Sequence, residues 1–399
     1  MKIAFFVSQF PSVSETFIVN QVVALKESGH TVHIFSYYRN PGIPVHQKIL
    51  DHGLLQDTFY LDPVAGSKWE KTRRLLSKVL ANSGNTNILR LCKAKFTKAS
   101  ALTVFESIPF LDKPRYDVVH AQFGINGNYV ARLKSLGLFK NARFITTFHG
   151  YDLNAEYANN NFYTTLFETC DRYTVNSHYS RQKLVKLGCK DRFITVLPVG
   201  LDTNRFKRTG TKKNNDGTIR LIFVGRLIKL KGMELLIEIC HRLFLQSPAM
   251  YRTTIIGDGE LLEDIKALIA RYRLEAIVTM EGAKSQEEII SFLNEADIFI
   301  LPGIEWQGNA EAQGLVIQEA QAMELPVIIS DAGGMAEGII DAVTGFVVKE
   351  NDIDGFVDKI ELLAADINLR KEMGAAGRKF VEENYDSNSL NKKLLQLYV

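Results

Sequence analysis

Two glutamates separated by seven residues stand in the most informative segment of the sequence, which runs from 305 to 320. Glu311 lies in a polar stretch, and Glu319 lies in the apolar run that predicts a helix over 315–323. The first N–H groups of a helix have no partner within it and favour anions, so we expect a phosphate site there. Carboxylates on both sides of a phosphate site suit a nucleotide sugar, and the alternative is a surface loop with two solvated acids. The phosphate-binding N–H groups would be those of Gly314, Leu315 and Val316.

Two basic residues follow the first strand that we predict in the second half of the chain. Gly225 permits a tight exit from this strand, and Arg226 and Lys231 stand five positions apart across the following loop and helix start. A guanidinium and an ammonium together could neutralise a diphosphate and stabilise it as a leaving group. The alternative is a pair of exposed basic residues at the start of a helix.

Further candidates lie in loops that follow strands of the first half. His149 stands beside a glycine at a strand end. There it could donate a hydrogen bond to a reacting sugar or exchange protons near neutral pH, although lone histidines are more often structural. For His120 we expect a structural role. Ser14, Glu15 and Asp152 are candidates for contact with an acceptor or donor, and Ser14 is also a plausible helix cap.

The composition is that of an ordinary soluble globular protein. The 399 residues are 46% hydrophobic and 23% charged, which excludes disordered and collagen-like classes, and the length predicts two domains. The four cysteines are widely spaced, and no cluster of metal-binding residue types indicates a metal site. The opening apolar run is too short for a signal peptide and no stretch would span a membrane, so we expect a cytoplasmic protein.

Positive charge is concentrated in one segment. Residues 68–98 contain nine lysines and arginines and one acid, Glu70, whereas the net charge of the whole chain is +3. Together with Trp69 and nearby leucines, this pattern predicts either a helix lying on the inner face of an anionic membrane or a solvated basic helix face. Because the rest of the chain is acidic overall, we expect no nucleic acid partner.

Apolar strand-like runs alternate with helical patterns along the whole chain. Twelve strands are too many for one twisted sheet, so we predict an α/β fold of two Rossmann-like, doubly wound domains facing a central cleft. Proline and glycine at 198–200 mark the break, which gives domains at 1–198 and 199–382 and a C-terminal helix at 383–399. The strands are predicted at Lys2–Val7, Thr31–Ser36, Asp117–Ala121, Arg143–Thr147, Tyr173–Val175, Phe193–Leu197, Ile219–Val224, Thr253–Ile256, Ile277–Met280, Ile298–Leu301, Val327–Ile329 and Gly345–Val348.

Taken together, these segments resemble the family 4 glycosyltransferases of the GT-B fold over nearly the whole chain. The likeness is most specific between 221 and 345. It rests on Phe-Val-Gly-Arg-Leu at 223–227, Ile-Gly-Asp-Gly at 256–259, the glutamate pair, and Thr-Gly-Phe at 344–346. The opening Phe-Pro and Ser-Glu-Thr-Phe-Ile, within 10–18, resembles the branch that contains bacterial colanic-acid and exopolysaccharide glycosyltransferases.

This resemblance implies a retaining hexosyltransferase that uses a nucleotide-sugar donor and no obligatory metal or cofactor, and we favour a UDP-sugar over a GDP-sugar. The first domain would take the acceptor, a glycan or lipid-linked glycan of surface polysaccharide biosynthesis. The second would take the donor, and the C-terminal helix would pack back on the first. By the same resemblance, Arg226 and Lys231 bind the diphosphate, Glu319 the ribose, Ala283 and Lys284 the base, and Glu311 and His149 the reacting sugar.

The sequence departs from the family pattern at two loops. Residues 12–16 replace the glycine-rich loop of many relatives, and Ala312 and Gln313 stand where many have glycine or proline. We hypothesise front-face transfer, in which the acceptor hydroxyl attacks the side that the diphosphate leaves and a phosphate oxygen takes the proton. Two alternatives stay open: a nucleotide-sugar 2-epimerase of the same fold, and a non-catalytic membrane-surface assembly subunit that uses 68–98.

Overall fold

A computed structural model of the chain describes residues 1–12, 16–40, 42, 45, 47–61, 69–70, 73, 77, 110, 115–154, 161–210 and 217–399. The chain divides into two compact units. The first contains Met1–Val175, Arg181–Val196 and Lys393–Val399, and the second contains Asn176–Ser180 and Leu197–Lys392. Each unit is built on one parallel sheet, which confirms the predicted pair of Rossmann-like α/β folds.

The sheet of the first unit has seven strands in the order β3-β2-β1-β4-β5-β6-β7. The direction in which successive strands are added reverses between β1 and β4, and ligands of such sheets bind at this point. Among the strands in the described residues, β3 alone was not predicted, because three residues are too short to show a strand pattern. The strands are β1 Lys2–Gln9, β2 Thr31–Tyr38, β3 Thr58–Tyr60, β4 Val118–Gln122, β5 Arg143–Phe148, β6 Arg172–Val175 and β7 Ile194–Val196.

The helices of the first half cover these strands and bury their apolar side chains. Aromatic rings fill much of this core, and Phe6 stacks on Phe35 with ring centroids 5.0 Å apart. Both faces of the central strands are covered, which explains their continuous apolar runs. The helices whose bounds lie in the described residues of this half are α1 Thr16–Glu27, α2 Gln47–Asp51, α3 Gly124–Ser135, α4 Thr164–Thr169 and α5 His178–Lys186, with 3₁₀ turns at Tyr151–Leu153 and Asp191–Phe193.

The sheet of the second unit has six strands in the order β10-β9-β8-β11-β12-β13, so its switch point lies between β8 and β11. Its strands are β8 Ile219–Val224, β9 Tyr251–Ile256, β10 Val278–Gly282, β11 Ile298–Leu301, β12 Val327–Ser330 and β13 Gly345–Val348. The helices of the second half of the chain are α6 Met233–Gln246, α7 Leu262–Arg271, α8 Gln286–Glu295, α9 Leu315–Ala322, α10 Ile353–Ala365, α11 Ile367–Asn384 and α12 Ser387–Tyr398, with 3₁₀ turns at Lys229–Lys231 and Met335–Gly338.

The C-terminal segment is divided between the two units. Residues up to Lys392 group with the second unit, and only Lys393–Val399 group with the first. Backbone hydrogen bonds explain this division, because the Leu201 N–H donates to Tyr385 and the Ser387 N–H donates to the Leu201 carbonyl. The last seven residues of the segment 383–399, for which we expected a C-terminal helix packing back on the first domain, thus group with the first unit.

A close backbone approach brings the loops after β8 and β11 together. Gly232 has φ 66°, and a Cβ on it would lie 1.7 Å from the carbonyl oxygen of Pro302. Only glycine combines this left-handed conformation with such a short approach. The residue before it, Lys231, is thereby placed beside the loop that carries Glu311.

Candidate active site

An ion pair joins the two loops at the switch point of the second sheet. The Nζ atom of Lys231 lies 2.6 Å from the Oε2 atom of Glu311, and the two side chains are 9% and 25% exposed. Lys231 ends the 3₁₀ turn after β8, and Glu311 lies in the loop after β11. The structure thus brings together two charged residues that stand eighty positions apart in the sequence.

Glu311 is ionised in this setting. Burial alone would raise its pKa, but the Lys231 ammonium, the Arg226 guanidinium and a hydrogen bond from the Gly314 N–H together hold the pKa below its ordinary value. An ammonium has three N–H donors, so Lys231 can bond Glu311 and still donate to an oxygen of a phosphate. Arg226 is exposed beside this pair.

The N-terminus of α9 begins immediately after this pair. Gly314 has φ 74° and occupies the cap position, and no side chain caps this helix end. The N–H of Gly314 is engaged by Glu311. Of the three N–H groups that we expected at the phosphate, this one therefore has another partner, whereas those of Leu315 and Val316 lie in the first turn at the positive end of the helix.

Glu319 lies one turn further along α9 in a different electrostatic setting. Burial raises its pKa to about 7, and the charge of Arg205 and a hydrogen bond from the Gln286 side chain only partly offset that effect. Gln286 is the first residue of α8, so it connects Glu319 to the loop that contains the expected base-binding residues. Neither Arg205 nor Gln286 was singled out from the sequence, because neither belongs to a recognisable motif.

The expected base-binding residues precede α8 directly. Ala283 is exposed, and the Nζ atom of Lys284 lies 3.2 Å from a carboxylate oxygen of Glu281. The same ammonium lies 5.8 Å from the ring centroid of Phe292. This loop is fixed at its end by a capping box, in which Ser285 and Glu288 bond each other's backbone N–H.

Gln313 explains the unusual sequence after the first glutamate. Its side chain is buried, its Oε1 atom accepts from the Val199 N–H at 2.8 Å, and its Nε2 atom donates to the Val199 carbonyl at 2.9 Å. The amide therefore ties the glutamate loop to the backbone at 199. The departure from the family pattern marks this position in the sequence, but its two bonds are visible only in the structure.

In the first unit, His149 follows β5 and lies between the rings of Phe17 and Phe123, with centroid distances of 4.9 and 4.6 Å. Its Nε2 atom bonds Oε1 of Gln122 at 2.7 Å. The Gln122 Nε2 group donates to Gln21, so Oε1 is the acceptor for His149. Burial lowers the pKa of His149 to about 3.

The imidazole of His149 is consequently neutral at pH 7, and its Nε2 proton is directed at Gln122. The expectation that His149 exchanges protons near neutral pH does not fit this environment, because burial disfavours the charged form. Its other ring nitrogen, Nδ1, is then a hydrogen-bond acceptor. Gln122, the partner of this imidazole, was not singled out from the sequence, although it too stands at the carboxyl end of a central strand.

Asp152, which we expected to contact the acceptor or the donor, is instead bonded to backbone N–H groups of its own unit. It is fully buried, and its carboxylate accepts the backbone N–H groups of Gly124, His149 and Gly150 at 2.8, 3.0 and 2.9 Å. Burial raises its pKa to about 6, although these N–H groups favour the ionised form. Asp152 holds the backbone around His149 rather than facing outward.

His120 is structural, as we expected. It is fully buried and bonds the Tyr398 hydroxyl and the Thr147 hydroxyl, both at 2.7 Å. The candidates Ser14 and Glu15 lie outside the described residues, as does most of the basic segment 68–98. Within the described part of the chain, no group of residues could hold a metal ion, and no helix is long and apolar enough to cross a membrane.

Comparison with known proteins assigns both units to one class of enzyme. A family model described as Glycosyltransferase Family 4 matches residues 14–205, and one described as Glycosyl transferases group 1 matches residues 205–380. The chain is 30% identical over 367 residues to the amylovoran biosynthesis glycosyltransferase AmsK of Erwinia amylovora, with 88% of each chain covered.

Two further similarities extend over almost the entire chain. A Salmonella typhimurium protein named for colanic acid biosynthesis, the glycosyltransferase WcaL, is 28% identical over 411 residues, with 100% of this chain and 99% of that protein covered. The structure of Anabaena HepE in complex with UDP and glucose has a TM-score of 0.71 at 16% identity, with 99% and 98% of the two chains covered. The strand orders, the matched family models and these relatives together show that the chain has the GT-B fold and belongs to the family 4 glycosyltransferases.

Proposed function

We propose that this protein is a retaining glycosyltransferase that moves a hexose from a nucleotide diphosphate sugar to a hydroxyl group of a glycan or lipid-linked glycan during exopolysaccharide biosynthesis. The observation that carries the proposal is the Lys231–Glu311 ion pair at the uncapped N-terminus of α9. It provides a cation, an anion and a helix dipole at the switch point of the second sheet. The relatives named for amylovoran and colanic acid biosynthesis support the pathway class.

The positive groups of this site suit the diphosphate. Arg226 and Lys231 would neutralise it together with the N–H groups of Leu315 and Val316, which supply the positive end of α9. These groups bind the leaving group more tightly as negative charge develops on it, so they lower the barrier of the transfer step. HepE, which was crystallised with UDP, supports our preference for a UDP-sugar.

The carboxylates would bind hydroxyl groups at the two ends of the donor. Glu311 is ionised and can accept hydrogen bonds from the hydroxyls of the donor sugar. Glu319, one turn into α9, would accept from the ribose, and its bond to Gln286 places it near the loop of Ala283 and Lys284, where the base would lie. His149 would contact the reacting sugar, as the family resemblance implies.

We propose front-face transfer for the chemical step. The bond between the anomeric carbon and the phosphate oxygen breaks, the acceptor oxygen bonds the same face of that carbon, and the departing phosphate oxygen takes the acceptor proton. The anomeric configuration is thereby retained. The alternative retaining route needs a carboxylate nucleophile, and the ion pair with Lys231 makes Glu311 a poor one.

Calorimetric titration with UDP, GDP and ADP in metal-free buffer tests the donor site. We expect UDP to bind at micromolar affinity, equivalent to about −8 kcal/mol, and Lys231→Met to weaken it strongly. Lys266→Met is the matched control, because Lys266 is an exposed lysine of α7 paired with Glu263 at 2.8 Å. Failure of all three nucleotides to bind would overturn the proposal.

Incubation with a nucleotide-sugar donor alone distinguishes a transferase from a 2-epimerase of the same fold. Slow release of free nucleotide, accelerated by a glycan acceptor, is expected of a transferase. Formation of a new nucleotide sugar would instead identify a 2-epimerase, and the transferase assignment would then be wrong.

A further inference from the structure

A tight backbone turn presents an exposed tryptophan in the loop between β11 and α9. The Trp306 N–H donates to the Asn309 carbonyl at 2.8 Å, and the Asn309 N–H donates to the Trp306 carbonyl at 2.9 Å. The two residues between them, Gln307 and Gly308, have φ values of 52° and 74°, as a two-residue turn of this type requires. Both the N–H and the carbonyl of Trp306 are therefore hydrogen-bonded within this closed turn.

The indole ring is open to solvent on part of its surface. Trp306 is 44% exposed, and the Lys229 ammonium lies 5.8 Å from the ring centroid. Lys229 in turn bonds Glu234, so this cation has a defined position. A positive charge near the ring is favourable because the π face is negative.

The same 3₁₀ turn contacts both ends of the glutamate loop. Its first residue, Lys229, lies beside Trp306, and its last residue, Lys231, bonds Glu311. Between them, the Leu230 carbonyl accepts the Ile304 N–H at 3.0 Å. Trp306 is thus held at the edge of the candidate donor site by the element that also supplies a diphosphate ligand.

We propose that Trp306 is a stacking platform for a pyranose ring of the glycan acceptor. This inference rests on the proposed function and adds a binding site for the second substrate. One face of a pyranose is lined by C–H groups, which carry partial positive charge and pack on the negative face of an aromatic ring. Isolated exposed aromatic residues are common and by themselves need no function. Trp306 differs through its closed turn and its shared anchor with Glu311.

The acceptor is the better match for this position than the donor sugar. The donor hexose would lie at Glu311, whose carboxylate is largely shielded, whereas Trp306 stands five residues earlier in the loop on an exposed surface. An acceptor glycan approaches from solvent and extends over several rings, so a ring other than the one that we expect the first domain to take would pass over such a surface. Any hexose ring could stack on an indole in this way, so the experiment must distinguish a sugar of the acceptor from the sugar of the donor.

Fluorine NMR of the full chain can observe this tryptophan alone. The sequence contains two tryptophans, so a Trp69→Phe protein labelled with 5-fluorotryptophan gives a single signal, that of Trp306. With UDP bound throughout, methyl glucoside, methyl galactoside, methyl mannoside, maltose and lactose are titrated against sorbitol, an open-chain polyol without a ring face. We expect ring sugars to shift the signal saturably and sorbitol to leave it unchanged.

Saturation transfer to the sugar protons then measures the contribution of the indole. Trp306→Ala should weaken sugar binding by about fivefold or more, and Trp306→Phe should retain most of it. Gln307→Ala is the matched control in the same exposed turn and should bind sugars as the parent does. Because the turn is closed by backbone hydrogen bonds, these variants should keep the thermal melting temperature of the parent.

The outcomes distinguish this inference from the function on which it rests. Absence of any ring-specific shift while UDP binds would overturn the platform and leave the donor site intact. Absence of UDP binding would overturn the proposed function. A signal that responds to UDP-glucose more than to UDP, and to none of the free sugars, would assign the ring to the donor and refute the acceptor assignment.

Discussion

Replacing Glu319 with glutamine should change the stability of the second unit by an amount that becomes more favourable as the pH rises from acid to alkaline. Burial on α9 raises the pKa of Glu319 from an ordinary 4.5 to about 7, despite the opposing effects of Arg205 and Gln286. In the unfolded chain the carboxyl group ionises at its ordinary pKa. Above the ordinary pKa the unfolded chain releases this proton more readily than the folded chain does. Ionisation of Glu319 therefore favours the unfolded state and lowers the free energy of unfolding.

The size of the effect follows from the pKa difference. One pKa unit corresponds to about 1.4 kcal/mol, so a rise from 4.5 to about 7 corresponds to about 3 kcal/mol of lost stability. Below the ordinary pKa both states hold the proton and the loss is absent. It grows between the two pKa values and is constant above the higher one. Since glutamine does not ionise, the free energy of unfolding of Glu319→Gln should exceed that of the parent by an amount that increases with pH.

Urea unfolding followed by the fluorescence of Trp306 in a Trp69→Phe chain measures this quantity for the second unit. Glu311→Gln is the matched control with the opposite sign. Its pKa is held below the ordinary value, so its ionised form stabilises the fold above that value and the contribution is lost as the pH falls through the lowered pKa. Parallel pH profiles for the two variants, or a difference for Glu319→Gln that does not change with pH, would refute the reasoning. Loss of the bond to Gln286 would add only a pH-independent offset.

Three further substitutions test how the loops are held. Gly232→Ala should lower the free energy of unfolding in urea by about 3 kcal/mol or more, because its Cβ would lie 1.7 Å from a carbonyl oxygen. Gly217→Ala is the control: its Cβ would have nothing within 4 Å, so only the backbone strain of about 1 kcal/mol should be lost. Gln313→Ala removes both bonds to Val199 and should lower kcat while changing the Kd for UDP by less than about threefold; unchanged kcat would contradict the positioning role. Asp152→Asn puts an N–H donor against buried N–H groups and should cost about 2 kcal/mol at pH 7, and equal melting temperatures for parent and variant would argue against its role in holding the turn.

The fold was largely predictable because its signal is local. Each central strand is covered on both faces, so a continuous apolar run such as Ile298–Leu301 identifies it without knowledge of its neighbours. β3 failed this test because it has only three residues, of which one is buried. The division of the C-terminal segment after Lys392 has no local signal for another reason, since the bonds of Leu201 to Tyr385 and Ser387 join residues far apart in the chain.

The candidate site was predictable in its residue types and less so in its contacts. The motif residues Lys231 and Glu311 do meet, and Gly314 does occupy the cap of a helix. The sequence contains no sign that Glu311 engages the Gly314 N–H, nor that His149 directs a proton at Gln122. Such contacts depend on distances and directions between side chains, which no spacing along the chain encodes.

The sequence by itself determined which residues are available for chemistry and which elements carry them, because hydrophobic periodicity and loop-forming residues act over a few neighbours. The tertiary structure alone decided the protonation state of those residues. Glu311 and Glu319 are the same residue type on one loop and helix, yet a buried cation holds the pKa of one below its ordinary value and burial raises that of the other to about 7. Desolvation and Coulomb interactions depend on what surrounds a charge in three dimensions, and the sequence specifies those surroundings only through the completed fold.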